Sequence, residues 1–116
     1  MHELSLVQAL VEQVEQIRTR EKAETVSSIT VNIGALSGVD RDAFEFAFPL
    51  VVEGTAAAGA VLMIAETPAE VTCEQCGERS QPDLDDFHCA KCESRRVRIT
   101  AGRDFLIQSV ELRKAE

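Results

Sequence analysis

Two pairs of cysteines constrain this chain more than any other feature of its sequence. Each pair has the spacing C-x2-C, with Cys73 and Cys76 in the first pair and Cys89 and Cys92 in the second. Twelve residues separate the pairs, and the chain contains four cysteines in all. A tight turn within each pair directs two sulfurs toward one point. The two turns together therefore predict a tetrahedral site for a single metal ion.

A closed set of four thiolates favours a structural zinc ion, because no coordination position is left for a substrate. A rubredoxin-like iron site has the same four ligands, and a redox dithiol is a further alternative that two matched pairs disfavour. The segment 69–97 is too short to bury a core of its own, so metal binding is expected to supply its folding energy. His88, which precedes Cys89, is expected to lie exposed or beside the site rather than to act as a ligand.

Charge and length exclude several classes of protein. The chain has 116 residues and a formal net charge of −8, which argues against binding to nucleic acid or to an anionic membrane. No apolar run approaches the roughly 18 residues needed to span a bilayer, and the N-terminus lacks the pattern of a signal peptide. These features predict a cytoplasmic protein, where a reducing environment favours cysteines as metal ligands over disulfides.

Periodicity predicts two helices and three strands outside the cysteine-rich segment. The first helix is expected over about residues 3–22, and the second begins at the N-cap Asp40 and ends at Gly54, with Pro49 kinking or shortening it. The strands are expected over residues 26–33, 61–65 and 104–112. The strand at 61–65 is apolar on both faces, which predicts a covered, central position.

The cysteine-rich segment reads as a module inserted between two strands of a larger domain. The expected organisation is a discontinuous main domain formed by 1–68 plus 98–116, with the inserted zinc-binding domain at 69–97. The glycine-containing segment 34–38 lacks the lysine of a phosphate-binding loop and is predicted to be a turn. No set of residues suited to catalysis can be assembled from the sequence, so the chain is not expected to be an enzyme.

The N-terminal residues Met1-His2-Glu3 are the second candidate metal site. His2 is too large for the initiator methionine to be removed, so Met1 is expected to keep the terminal amine. An amine, the next amide nitrogens and an imidazole form fused chelate rings that suit square-planar Ni²⁺ or Cu²⁺. The alternative is that His2 and Glu3 merely begin a helix, where an acidic residue is favourable. The residues alone leave both interpretations open.

Taken together, these features resemble the HypA/HybF family of hydrogenase maturation nickel chaperones. The resemblance spans the chain in the family's order and rests on the cysteine pairs and four further segments: Met1-His2-Glu3-Leu4-Ser5-Leu6, Ile33-Gly34-Ala35-Leu36-Ser37-Gly38-Val39, Phe46-Ala47-Phe48 and Gly102-Arg103-Asp104. Members often carry glycine after the last cysteine of the second pair, where this chain has Glu93.

The resemblance implies an α+β fold, in which two helices pack on a three-stranded sheet and a zinc-ribbon-like module is inserted between the second and third strands. It implies a nickel site formed by the Met1 amine, by the backbone nitrogen and imidazole of His2, and by the backbone nitrogen of Glu3. It also implies a structural zinc ion held by Cys73, Cys76, Cys89 and Cys92.

In function, the resemblance implies nickel carried as cargo rather than catalysis. The expected partners are a nickel-delivery GTPase and the large subunit of [NiFe]-hydrogenase, with urease maturation as a further role of some members and a homodimer left open. The alternative function is that of a zinc-ribbon interaction scaffold that transfers no nickel.

Overall fold

A computed structural model of the chain describes residues 2–115, with the exception of the side chain of His2. The predicted nickel ligands on Met1 and on the imidazole of His2 therefore lie outside the described residues. The elements in chain order are α1 His2–Arg20, β1 Thr25–Gly34, α2 Arg41–Val52, β2 Val61–Thr67, β3 Glu70–Cys73, β4 Arg79–Ser80, β5 Val97–Ala101 and β6 Phe105–Arg113.

The strands form two sheets of three, with orders β2-β1-β6 and β4-β3-β5. The second sheet lies between β2 and β6 in the chain, which confirms the predicted insertion within an α+β fold. The described residues divide into two compact units: the first contains 2–32, 39–65 and 106–115, and the second contains 33–38 and 66–105. No helix in the described part of the chain is long and apolar enough to cross a membrane.

The core of the first unit is built from α1, α2 and the central strand β1. Each helix buries one apolar face, because its apolar residues recur every three or four positions. In the second half of β1 the buried residues Ile29, Val31 and Ile33 alternate with the half-buried Thr30 and Asn32. The buried residues are Val7, Leu10 and Val14 of α1, Ile29 and Val31 of β1, and Phe44, Phe48 and Val52 of α2.

Asp40 caps α2 as predicted, since its carboxylate accepts a hydrogen bond from the amide of Ala43 at 3.2 Å. Pro49 does not end the helix, which continues to Val52, so the expectation of a helix shortened at Pro49 was wrong. Pro49 is exposed in the last turns, where it removes a single helical hydrogen bond. Val52, in this final turn, is buried.

The predicted central position of the strand at 61–65 was also wrong. This strand, β2, lies at the edge of its sheet, and Val61 and Met63 are 60% and 54% exposed. The central strand is β1. A polar side chain of β1 forms a hydrogen bond with β6, since the Ser28 hydroxyl donates to the Glu111 carboxylate at 2.6 Å. The pattern of apolar residues along a strand indicates which of its faces are covered. It does not indicate whether the strand has one or two neighbouring strands in the sheet.

Two glycines permit a close approach of backbone segments in the second unit. The amide of Leu36 donates to the carbonyl of Gly102 at 2.7 Å, and the amide of Gly34 donates to the carbonyl of Asp104 at 2.9 Å. A Cβ atom on Gly34 would lie 2.2 Å from the Gly102 oxygen. Gly102 itself adopts a φ of +96°, which favours glycine. The predicted turn at 34–38 is thus held by backbone contacts that only glycine allows.

Candidate metal centre

The second unit brings the four predicted zinc ligands together. The Sγ atoms of Cys73, Cys76, Cys89 and Cys92 all lie within 4.8 Å of one another, and none of these cysteines forms a disulfide. The Cys73–Cys92 and Cys76–Cys89 sulfur pairs are each separated by 3.6 Å. A tetrahedron with Zn–S bonds of about 2.3 Å has sulfur–sulfur edges of about 3.8 Å. The cluster therefore fits a structural zinc site.

Each cysteine pair forms the same turn. The Cys73 sulfur accepts hydrogen bonds from the amides of Gln75 and Cys76, both at 3.3 Å. The Cys89 sulfur accepts from the amides of Lys91 and Cys92, both at 3.4 Å. Amide donors directed at sulfur stabilise a thiolate. The first cysteine of each pair is thus prepared to bind a cation.

The residue after each pair closes the turn in a left-handed conformation. The amide of Gly77 donates to the carbonyl of Cys73 at 3.0 Å, and the amide of Glu93 donates to the carbonyl of Cys89 at 2.9 Å. Their φ angles are +80° and +63°. The structure explains why glycine suits both positions, since Glu93 adopts a conformation that is strained for a residue with a side chain.

The sheet of the second unit positions the first cysteine pair. Cys73 is the last residue of β3 and lies opposite Val97 of β5, while its amide donates to the carbonyl of Glu78 at 2.9 Å. Cys73 and Cys89 are buried, whereas Cys76 and Cys92 are exposed. One side of the sulfur cluster therefore packs inside the unit and the other faces solvent.

The four thiols differ in acidity. Amide hydrogen bonds, first from Cys76 and then from Gln75, lower the pKa of Cys73 from 9.0 to about 6. The pKa of Cys89 is lowered for the same reason, with the amide of Cys92 as the main donor. A backbone hydrogen bond at Glu78 lowers the pKa of Cys76, but partial desolvation and the neighbouring sulfurs outweigh it and raise that pKa to about 12. Two sulfurs thus ionise readily, and the full set of thiolates requires a bound cation.

The aspartates Asp83, Asp85 and Asp86 and the nearby His88 take no part in the cluster. His88 Nδ1 lies 2.8 Å from the carbonyl oxygen of Asp86, and the Asp86 carboxylate pairs with Arg95. The amide of Asp85 donates to the carboxylate of Asp83 in an exposed turn. In the part of the chain that the structure describes, no second group of three or more His, Cys, Asp or Glu side chains is placed to hold a metal ion.

The N-terminal segment enters directly into α1, which begins at His2. The Glu3 carboxylate accepts a hydrogen bond from the backbone amide of Asp40, with Oε2 and N separated by 3.0 Å. The sequence assigned only the backbone nitrogen of Glu3 to the nickel site and missed this role of its side chain. No sequence signal connects two residues that lie 37 positions apart.

An α+β unit joined to a small sheet that carries a four-cysteine site defines a class of two-unit, zinc-ribbon-containing metal-binding proteins. Comparison with known proteins identifies the family within this class. Residues 1–112 match the family model described as HypA, hydrogenase/urease nickel incorporation, metallochaperone. The chain belongs to this HypA family.

Individual relatives agree with this membership over nearly the whole chain. The chain is 40% identical to the hydrogenase maturation factor HypA of Nitrosospira multiformis over 112 residues, which cover 97% of each protein. It is 34% identical to the hydrogenase maturation factor HybF of Escherichia coli K12, covering 97% of this chain and 99% of that protein.

The fold agrees with a solved structure of the same family. The solution structure of the nickel metallochaperone HypA from Helicobacter pylori matches with a TM-score of 0.69 and 30% identity, covering 97% of this chain and 98% of that one. The α+β fold with a cysteine-rich module is therefore the fold of the family.

Proposed function

We propose that this chain binds one Ni²⁺ ion at its N-terminus and delivers it during the maturation of [NiFe]-hydrogenase. The observation that carries the proposal is the family match over residues 1–112, which includes the segment Met1-His2-Glu3. The nickel ion is cargo in this account, so its binding must be tight enough for transport and reversible enough for release. The same chemistry would serve urease maturation.

The proposed ligands are the Met1 amine, the backbone nitrogens of His2 and Glu3, and the His2 imidazole. Because α1 begins at His2, the amides of its first turn have no acceptor within the helix. The positive end of the helix dipole also favours their deprotonation. A neutral amine, two deprotonated amides and a neutral imidazole around Ni²⁺ make an uncharged complex. Such a complex avoids the repulsion that a bare cation would meet at a helix N-terminus.

The side chain of Glu3 has a positioning role in this site. Its carboxylate is engaged by the Asp40 amide, at the start of α2. This contact anchors the first turn of α1 while the backbone nitrogen of the same residue binds metal. The proposal also requires Met1 to carry a free amine, so the test protein needs an intact mass that confirms its native N-terminus.

The four cysteines have a structural role in the proposal. Cys73, Cys76, Cys89 and Cys92 hold Zn²⁺ and so stabilise the sheet β4-β3-β5. We propose the boundaries 69–97 for the zinc-binding domain and 1–68 plus 98–116 for the nickel-binding domain. The chain itself catalyses no reaction, because nickel transfer needs only ligand exchange.

We further propose a cytoplasmic protein that works with other maturation proteins. The specific partners are a nickel-delivery GTPase and the large subunit of [NiFe]-hydrogenase. Membership of a maturation-factor family supports contacts of this kind. A homodimer is compatible with the same role.

The function is tested in a hydrogenase-producing bacterium that lacks its own HypA. Wild-type chain should restore hydrogenase activity in medium low in nickel, and His2→Ala should not. Added nickel salt should rescue the His2→Ala strain, because a high metal concentration bypasses a delivery protein. His88→Ala is the matched control, since it removes the other of the two histidines. Full activity with His2→Ala at low nickel would favour the zinc-ribbon scaffold instead.

A further inference from the structure

Helix α2 exposes a compact apolar surface that the fold does not use. Phe46 and Leu50 are 75% and 61% exposed, while Phe44 and Phe48 of the same helix are buried. Residues four apart lie on one face of a helix, so these two side chains adjoin. Single exposed apolar residues are ordinary, but two that adjoin on one helix face form a patch, and phenylalanine is enriched in the cores of protein interfaces. We refer to Phe46 and Leu50 as the α2 anchor.

Carboxylates border the α2 anchor at both ends. Asp42 lies one turn before Phe46, and Glu53 lies three residues after Leu50; both are exposed. Among the described residues, neither carboxylate forms an ion pair. Glu45, which directly precedes Phe46 in the chain, is instead paired with Arg41, with Nε and Oε1 separated by 3.0 Å. The borders of the anchor therefore carry unbalanced negative charge.

The same side of α2 also offers a backbone acceptor. Pro49 has no amide hydrogen, so the carbonyl of Glu45 lacks the helical donor that normally lies four residues later. Pro49 is itself exposed beside Leu50. A partner that presents Lys or Arg side chains could satisfy this carbonyl as well as the two carboxylates.

The α2 anchor lies on the helix that also contacts the start of α1. Asp40, which caps α2, donates its amide to Glu3. Asp42 is therefore two residues from Asp40, whose amide holds Glu3 at the proposed nickel site. A protein docked on α2 would be held beside the cargo.

We propose that the exposed face of α2, centred on Phe46 and Leu50, docks a maturation protein that presents an apolar recess bordered by Lys or Arg side chains. This inference rests on the proposed function, since it gives the nickel site a neighbouring docking surface. The negative charge beside the α2 anchor favours a basic partner over a second copy of the chain. Two copies of α2 packed antiparallel through their anchors would place Asp42 of one near Glu53 of the other, in a protein of net charge −8.

The proposal is tested by calorimetry with two purified probes from the same organism: the nickel-delivery GTPase and the precursor of the hydrogenase large subunit. Phe46→Ser/Leu50→Ser should weaken binding of at least one probe by about tenfold or more, because both side chains lie at the centre of the contact. Asp42→Lys/Glu53→Lys should weaken the same complex and reduce its salt dependence. Met63→Ser/Leu106→Ser is the matched control, since it removes apolar side chains that are 54% and 57% exposed on the sheet.

Several results would overturn the proposal. One is binding of both probes to Phe46→Ser/Leu50→Ser as tightly as to wild type, and another is binding of neither probe to wild type. A third is a wild-type dimer that only the α2 variant dissociates, because the occupant would then be a second copy. Thermal unfolding of each variant should match wild type, which excludes misfolding as the cause of lost binding. Nickel titration of the same variants separates this proposal from the nickel site: a chain that binds the probe but no nickel contradicts the proposed function alone.

Discussion

The carboxylate of Glu3 accepts a hydrogen bond from the backbone amide of Asp40 at 3.0 Å, and this contact joins the first turn of α1 to the start of α2. Asp40 at the same time caps α2 through its own carboxylate. One residue therefore serves as donor to α1 and as cap of α2. The proposed nickel ligands extend from the Met1 amine to the backbone nitrogen of Glu3, so the metal site ends at a residue that this tertiary contact restrains.

This contact predicts that mutation can distinguish the role of the Glu3 carboxylate from the role of the Glu3 backbone nitrogen. Glu3→Ala keeps the amide nitrogen but removes the carboxylate, so it should retain the nickel absorption band while losing about 1 kcal/mol of folding stability. Glu3→Pro removes the amide hydrogen as well, so it should abolish the band, because a proline nitrogen cannot become an anionic ligand. The first turn of a helix tolerates proline, which makes this variant a fair test.

Absorption titration with Ni²⁺ and denaturant unfolding of both variants check this prediction. An unchanged band in Glu3→Pro would contradict the assignment of the Glu3 nitrogen as a ligand. Loss of the band in Glu3→Ala would instead show that nickel binding requires the carboxylate, as a ligand or through its contact with Asp40.

The close approach of Gly34 to Gly102 predicts a large effect of one added methyl group. Gly34→Ala would place a Cβ atom 2.2 Å from the Gly102 oxygen and 2.9 Å from the Asp104 oxygen. Neither atom belongs to a flexible side chain, so the backbone must move, and the free energy of unfolding should fall by about 3 kcal/mol. Gly59→Ala is the control, because no atom lies within 4 Å of its added Cβ. Equal unfolding midpoints for the two variants would contradict this packing.

Removal of the metal should unfold the second unit selectively. Its sheet is small and is held at Cys73 and Cys89, so a chelator or Cys89→Ser should collapse the amide resonances of residues 70–101 in NMR spectra. The helices of the first unit should keep their resonances. Glu74→Gln is the control, since it changes an exposed side chain between the first two ligands. Iron in the purified protein, or a second unit that stays folded without metal, would contradict the structural zinc assignment.

Acid should release the zinc, and the sign follows from the thiol acidities. Amide hydrogen bonds lower the pKa of Cys73 from 9.0 to about 6, so the folded second unit gains stability from this thiolate above pH 9.0 and loses it as the pH falls through about 6. Protons compete with the metal for the same sulfurs. Zinc release should therefore increase as the pH falls.

The sequence predicted that the four cysteines converge on one point, because this follows from the short spacing within each pair. It also predicted the Asp40 cap, because a cap is set by neighbouring residues in the chain. It misplaced β2 at the centre of a sheet, because strand order depends on long-range pairing. It missed the contact between Glu3 and Asp40 for the same reason.

The second sheet also escaped prediction. Strand β5 pairs with β3 across the cysteine loops, with Thr72 opposite Arg98. The alternation of Val97, Ile99 and Ala101 with Arg98 and Thr100 is a strand signal that the sequence analysis did not use. The domain boundaries at 68/69 and 97/98 stay a prediction. Ligand assignment at the N-terminus also stays a prediction, since Met1 and the His2 imidazole lie outside the described residues.

The most direct test of the account is a calorimetric Ni²⁺ titration, with absorption recorded in parallel, of zinc-loaded protein whose native N-terminus has been confirmed by mass. Wild type and His88→Ala should each bind one nickel ion per chain with the absorption of a square-planar complex. His2→Ala should lose this binding while its thermal unfolding and zinc content stay unchanged. Equal nickel binding by His2→Ala and wild type, or no binding by either, would contradict the N-terminal site and with it the proposed delivery of nickel.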